Sequence, residues 1–273
     1  MSRRRTVRGE RLPWPALVLA LLAVAFFALP LIGLLQRASW STFGHDLNTS
    51  QSREALRLSL VCSLSATALS ILFGMPLAWV LARIAFPGRA LVRGLVLLPL
   101  VLPPVVGGVA LLSAFSNNGL LIKPLNQFLA QHTDWHIQLT FTTAGAVLAE
   151  TFVALPFFVI TVEAALRTMD RRYEDVAATL GADRWTVFRR VTLPAILPSV
   201  IAGSVLAWAR ALGEFGATIT FAGNIIGRTQ TLPLAVYLAL EGNPDVAIAL
   251  SLVLLGVSLI VIVSLRDRWL ERS

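Results

Sequence analysis

The sequence predicts an all-α integral membrane protein with about six transmembrane helices, and three observations carry that prediction. Its 273 residues are 56% hydrophobic and only 14% charged, a mixture too apolar for ordinary soluble domains. The apolar residues fall into continuous runs of about 20, the length that spans a bilayer as a helix, whereas barrel strands would be about ten residues of alternating polarity. The basic residues, 23 Lys and Arg against 15 Asp and Glu for a net charge of +8, cluster in the short gaps between those runs. They do not form the water-facing stripe of a nucleic-acid binder, and the long apolar runs exclude a disordered chain.

The first span, near 12–35, follows an arginine-rich leader. Its apolar stretch is longer than the about 7 to 15 residues of a signal-peptide core and no small-x-small cleavage site follows cleanly, so it is read as a retained helix. The second span, near 55–82, holds Cys62, the single cysteine, which excludes an intrachain disulfide and argues against a thiolate metal site. Four more spans follow near 91–115, 141–166, 195–221 and 246–265. Most of the basic residues fall in the leader, in the loops after spans two and four, and in the tail, while the other side carries only Arg37, Arg53, Arg57, Lys123 and Arg228. By the positive-inside rule both termini are expected in the cytoplasm, which requires an even number of spans.

Several chemistries have no residues to carry them. The chain contains no G-x-x-x-x-G-K-[ST] phosphate loop, no H-E-x-x-H and no G-x-S-x-G elbow. His45, His132 and His136 all fall in expected outer loops; His132 and His136 flank Asp134 at a metal-compatible spacing, but they read better as a wet loop with Trp135 at the interface. An intramembrane enzyme would need a nucleophile and a base within a span, and no histidine is there. An autonomous secondary transporter predicts inverted repeats and a charged midplane site, and neither is visible.

The longest inner connection, about 167–194, reads as two short helices. Asp170 can cap one running through Tyr173, Glu174, Asp175, Val176 and Ala177, with Gly181 ending it in the left-handed conformation. Asp183 can cap a second that places Trp185 and Phe188 on one face and ends before Leu193 and Pro194. On its own this could be an amphipathic stretch on the lipid headgroups. However, Asp175-Val176-Ala177, three residues, Gly181, nine residues and Val191-Thr192-Leu193-Pro194 resemble the EAA loop of ABC importer permeases, E-A-A-x3-G-x9-I-x-L-P. Aspartate for glutamate and valine for alanine and isoleucine are its departures from that pattern. The resemblance implies docking to a cytoplasmic ATPase subunit through Glu174, Asp175, Ala177, Gly181, Ala182, Trp185, Phe188, Leu193 and Pro194.

Span five carries Ala211-Leu212-Gly213-Glu214-Phe215-Gly216-Ala217-Thr218-Ile219-Thr220-Phe221, then Ala222-Gly223-Asn224 and Arg228-Thr229-Gln230-Thr231-Leu232-Pro233. Span three carries Leu97-Leu98-Pro99-Leu100-Val101-Leu102-Pro103-Pro104-Val105-Val106-Gly107-Gly108, preceded by Phe86-Pro87-Gly88-Arg89. Both are similar to the oxyanion permeases, molybdate permeases most of all, over about residues 52–265; sulfate permeases share the Gly-Glu-Phe-Gly core. The resemblance implies the MetI-like ABC permease fold. It also implies a homodimer, an extracytoplasmic oxyanion-binding protein as a partner, and a separate ATPase that holds the ATP and Mg. This chain would then bind no cofactor and catalyse nothing itself.

The residues themselves suggest where a pathway would lie. Arg210 and Glu214 are four apart, on one helix face, and each can neutralise the other inside the membrane, where one charge costs about 2.5 to 3.5 kcal/mol. They are either a structural ion pair or part of the lining of a route. Gly213 and Gly216 beside them would permit close helix approach. Pro99, Pro103 and Pro104, with Gly107 and Gly108, should kink or break span three, either for packing or to expose backbone to a cavity. Glu150 in span four is read as a gate or structural partner, because an acid facing an anion is unfavourable. The expected organisation is residues 1–53 as leader, first helix and outer loop, 54–266 as the permease core, and 267–273 as a cytoplasmic tail.

Overall fold

The computed structural model describes residues 14–133 and 135–270. The leader arginines Arg3, Arg4, Arg5, Arg8 and Arg11, together with Asp134 and Arg272, lie outside the described residues, so the readings placed on them have no structural counterpart.

The described residues form helices and no strand. In chain order these are α1 (Trp14–Gln36), α2 (Phe43–Leu47), α3 (Ser50–Arg83), α4 (Arg89–Val101), α5 (Pro104–Phe115), α6 (Ile122–Ala130) and α7 (Thr143–Thr168). There follow α8 (Arg172–Thr179), α9 (Arg184–Val187), a π-helical segment (Phe188–Thr192), α10 (Leu193–Leu212), α11 (Gly216–Ala222), α12 (Leu232–Gly242) and α13 (Pro244–Leu270). Five helices are long and apolar enough to cross a membrane: α1, α3, α7, the continuous Arg184–Leu212 and the Pro244–Val261 part of α13.

The core is built where α3, α7 and α10 pack together. Leu81, Phe158, Val162 and Leu166 fill it, while Ala66, Ala78, Ala154 and Ala207 let the backbones approach. A second cluster joins α5, α7 and α11 around Leu111, Ala149, Val153, Ala217 and Phe221. A third holds α12 and α13 against the start of α3 through Ala55, Leu232, Ala235 and Leu250. Two of the long helices start on a threonine cap: Thr49 accepts from the Ser52 N–H, and Thr142 from the Gly145 N–H. In contrast, α1 buries no residue at all.

Two expected spans are divided. Span three breaks between α4 and α5, at Leu102 and Pro103. Leu102 is extended (ψ 136°), as a residue before proline tends to be, and Pro103 and Pro104 begin the second half-helix instead of kinking a single one. Gly107 and Gly108 do not weaken the ladder as expected but lie inside α5. Span five ends at Leu212 and resumes at Gly216, so Arg210 and Glu214 do not share a helix. The short helices α2 and α6 were not visible as apolar runs, and α12, though apolar, is too short to span a membrane and was not read as a helix.

Candidate functional site

The loop between α7 and α10 is held by local hydrogen bonds that its sequence specifies. Asp170 Oδ1 accepts the Arg172 N–H at 3.0 Å and starts α8. The helix closes on Gly181, whose φ of +86° is left-handed. The Gly181 N–H donates to Ala178 O at 3.0 Å and the Ala182 N–H to Ala177 O at 3.1 Å, the paired bonds of a Schellman turn. Ala177 and Ala182 therefore act here through their backbone. Asp183 starts α9, accepting from the Trp185 N–H at 3.2 Å and from the Thr186 hydroxyl. Those bonds, the Thr186 hydroxyl foremost, hold its carboxyl below the usual carboxylate range, since each favours the charged form.

The second expected loop helix is not separate. α9 passes through the π-helical Phe188–Thr192 directly into α10, with Leu193 and Pro194 opening the latter. Proline lacks the N–H that would complete an α-helical bond four residues back, and a π-helical turn accommodates that gap without ending the helix. Trp185 and Phe188 stack with ring centroids 5.7 Å apart, as their spacing predicted. Asp175 is exposed, whereas Glu174 turns inward: its Oε1 accepts from Arg83 Nη2 at 3.1 Å and from the Thr192 hydroxyl at 2.8 Å. One carboxylate thus ties the loop to the end of α3 and to the root of α10. Sequence reading missed Arg83, for which the only signal was its position at the end of a span.

On α8 itself the faces differ. At about 100° per residue, Glu174, Asp175 and Ala178 look one way and Tyr173, Val176 and Leu180 the other. The second set is exposed and apolar, with Leu180 83% accessible.

The second feature is the pair of helix breaks. Glu214 lies in the break between α10 and α11 and is 1% exposed. Its Oε2 is 2.6 Å from Arg210 Nη2, and its Oε1 accepts the Ala217 N–H at 2.8 Å. The residue therefore closes the end of α10 and caps the start of α11 at once. Arg210 keeps 28% of its side chain accessible. Gly216 meets the other break: a Cβ there would lie 2.6 Å from Pro104 Cβ. Farther along, a Cβ on Gly108 would lie 2.5 Å from Thr220 Cβ. Gly213 is not a close-approach site as expected, since its nearest neighbour would be Ala209 O of its own helix at 3.6 Å.

Arg210, Glu214, Gly216, Pro103 and Pro104 are thus brought together around the juxtaposed breaks. Glu150, on α7, is 1% exposed, its Oε2 has no hydrogen-bond partner among the described residues, and it lies within electrostatic reach of Glu214. A polar network that sequence reading missed lies between the start of α3 and the segment after α11. Gln51 donates to Gln230 at 3.1 Å, Gln230 to Asn224 at 3.0 Å, and the Leu232 N–H to Ser59 at 2.6 Å. Among the described residues no cluster of His, Cys, Asp or Glu could hold a metal.

Comparison with known proteins accounts for this arrangement. The chain is 49% identical over 251 residues to the molybdenum transport system permease protein ModB of Mycobacterium tuberculosis, covering 91% of this chain and 92% of that protein. ModB of Escherichia coli K12 is 43% identical over 220 residues, 80% of this chain and 93% of the relative. The sulfate transport system permease protein CysT of Salmonella typhimurium is 36% identical over 267 residues, 97% and 94% of the two chains. Among solved structures, a chain of a bacterial alginate ABC transporter, in complex with its alginate pentasaccharide-bound periplasmic protein, superposes with a TM-score of 0.69 at 22% identity and 92% coverage of both chains. That likeness carries the fold, the MetI-like permease architecture. The family described as binding-protein-dependent transport system inner membrane component matches residues 70–273, which include the loop and both breaks. The chain is accordingly a multi-pass membrane transport component and belongs to that family.

Proposed function

We propose that the chain is the permease subunit of an ABC importer for a tetrahedral oxyanion, molybdate in the first place. The observation that carries this is the identity, over most of the chain, to permeases named for molybdenum transport, joined to a loop whose turn is built at Gly181. In this reading two copies pair, a binding protein delivers the anion from outside, and a cytoplasmic ATPase holds ATP and Mg. Both termini and the α8 loop lie in the cytoplasm. The exposed stripe of Tyr173, Val176 and Leu180 enters the ATPase, and Asp175 sits at its edge. Glu174, Ala177 and Ala182 shape the loop without reaching the partner. The pathway runs beside the two breaks, where Arg210 offers a dianion weak, transient attraction. Tight binding there would retain the substrate, so most affinity resides in the binding protein.

Sulfate is the second reading, favoured by the relative named for sulfate transport; tungstate shares the geometry and charge of molybdate. Isothermal titration of the partner binding protein with the three anions, followed by uptake in proteoliposomes holding the permease, ATPase and binding protein, tests the proposal. ATP-dependent molybdate uptake at anion concentrations where sulfate does not compete is expected. Uptake without the ATPase would overturn it, and selective sulfate uptake would move the chain to the second reading.

A further inference from the structure

Two concavities adjoin where the α8 loop meets α3, and Trp79, Arg184 and Phe188 line both. One, of about 460 Å³, is the more polar of the two and is faced by Arg83, Arg171 and Arg184. The other, of about 600 Å³, is an apolar groove running along α3 over Ile71, Leu72, Met75 and Pro76, with Trp185 at its edge. The groove lies open along α3, one of the helices long and apolar enough to cross a membrane, and Leu72 is 64% exposed there.

The polar pocket has spare positive charge. Arg83 is paired with Glu174, yet its side chain is 8% exposed and its Nε has no partner. Among the described residues Arg171 and Arg184 form no ion pair, and neither does Asp175, the other carboxylate on the pocket wall. Three guanidinium groups thus face two carboxylates. A buried guanidinium N–H without an acceptor is costly, and arginine forks suit phosphate oxygens.

We propose that an anionic phospholipid of the leaflet at the loop end of the spans binds here. Its phosphate enters the arginine-lined pocket and one acyl chain lies in the groove on α3. Trp185, 65% exposed beside Arg184, sits at headgroup height, where indole rings are favoured. The exposed stripe on the far side of α8 stays free, so the lipid and a protein partner need not compete. The inference depends on the chain spanning a membrane and not on what it transports.

The test is a titration of the full-length protein in neutral detergent with phosphatidylglycerol or phosphatidylcholine of matched chains, bound lipid being counted by native mass spectrometry. Phosphatidylglycerol should bind at lower concentration, and Arg184→Gln should weaken it about fivefold, what one arginine contributes against an anionic lipid surface. Arg189→Gln, exposed but outside the pocket, should change nothing, and Leu72→Trp should block both lipids by filling the groove. Arg171→Gln replaces Arg184→Gln if the latter does not purify as a monodisperse species. Equal binding of the two lipids, or undiminished phosphatidylglycerol binding by the arginine variant, overturns the proposal. If inorganic phosphate displaces phosphatidylglycerol while Leu72→Trp has no effect, the pocket is a site for soluble anions and the lipid proposal also falls.

Discussion

Arg210 and Glu214 show how one carboxylate can serve two neighbours. Breaking a buried ion pair costs about 3 to 5 kcal/mol because it leaves an uncompensated charge, so Arg210→Leu or Glu214→Gln alone should lower the melting temperature in detergent markedly. The double variant should fold, though with α11 less firmly capped. If Arg210 also meets the anion, that variant will still assemble yet take up labelled molybdate poorly; near-normal uptake would make Arg210 purely structural. Gly108 and Gly213 form a sharper contrast. Gly108→Ala pushes a methyl against Thr220 Cβ at 2.5 Å and should destabilise by about 1 to 3 kcal/mol. Gly213→Ala, with nothing nearer than 3.6 Å and an ordinary negative φ, should stay within about 0.5 kcal/mol. Thermal unfolding of both variants checks the pair. Sequence reading assigned close approach to Gly213 and helix breaking to Gly108, and the structure gives the close approach to Gly108, because what separates the two is a neighbouring helix, which spacing along one chain does not reveal.

At the scale of elements, the α8 turn and the π-helical segment carry different kinds of information. The turn was legible: Asp170, Gly181 and Asp183 each act on backbone groups within a few residues, so local sequence suffices. Gly181→Val should cost more than the about 1 to 2 kcal/mol left-handed penalty. A Cβ added there would meet nothing within 4 Å beyond the neighbouring residues, so the loss comes from the backbone alone and Gly181→Asn should be tolerated. Transport-coupled ATP hydrolysis in the assembled complex is the readout, and normal coupling by the valine variant would remove the loop from the docking role. The π-helical segment was not legible: Pro194 withholds an N–H, but a proline at that place signals a helix start as readily as a π-helical turn inside a continuous helix. Deleting Val191 should restore α-helical winding and turn α9 by about 100° relative to α10. Insertion should survive and hydrolysis should uncouple.

Across the whole molecule, the six-span outline was readable because apolar runs and arginine clusters are one-dimensional signals. The breaks were readable only in part. Pro103 and Pro104 announced the first, whereas the second occurs in a stretch without proline and is stabilised by the Glu214 cap on Ala217. Orientation is open to direct measurement. Reporter fusions after Asn126 should face outside and fusions after Asp183 inside, and the reverse pattern would remove both the cytoplasmic docking loop and the importer direction. The ion pair of Arg93 with Glu163, to which Arg167 adds at 3.7 Å, fastens α4 to α7 at the loop end. The α4 half of the divided span is therefore tied to α7 at the loop end.

The unbroken run from Arg184 to Leu212, 29 residues and about 43 Å at 1.5 Å per residue, reaches from the α8 loop to the Glu214 break. Such a rod obeys linkage. A ligand or protein that binds at the Glu214 end and favours one setting of the break must alter the affinity of anything bound at the loop end by a fixed factor. Binding at the loop end must alter the affinity at the Glu214 end by that same factor.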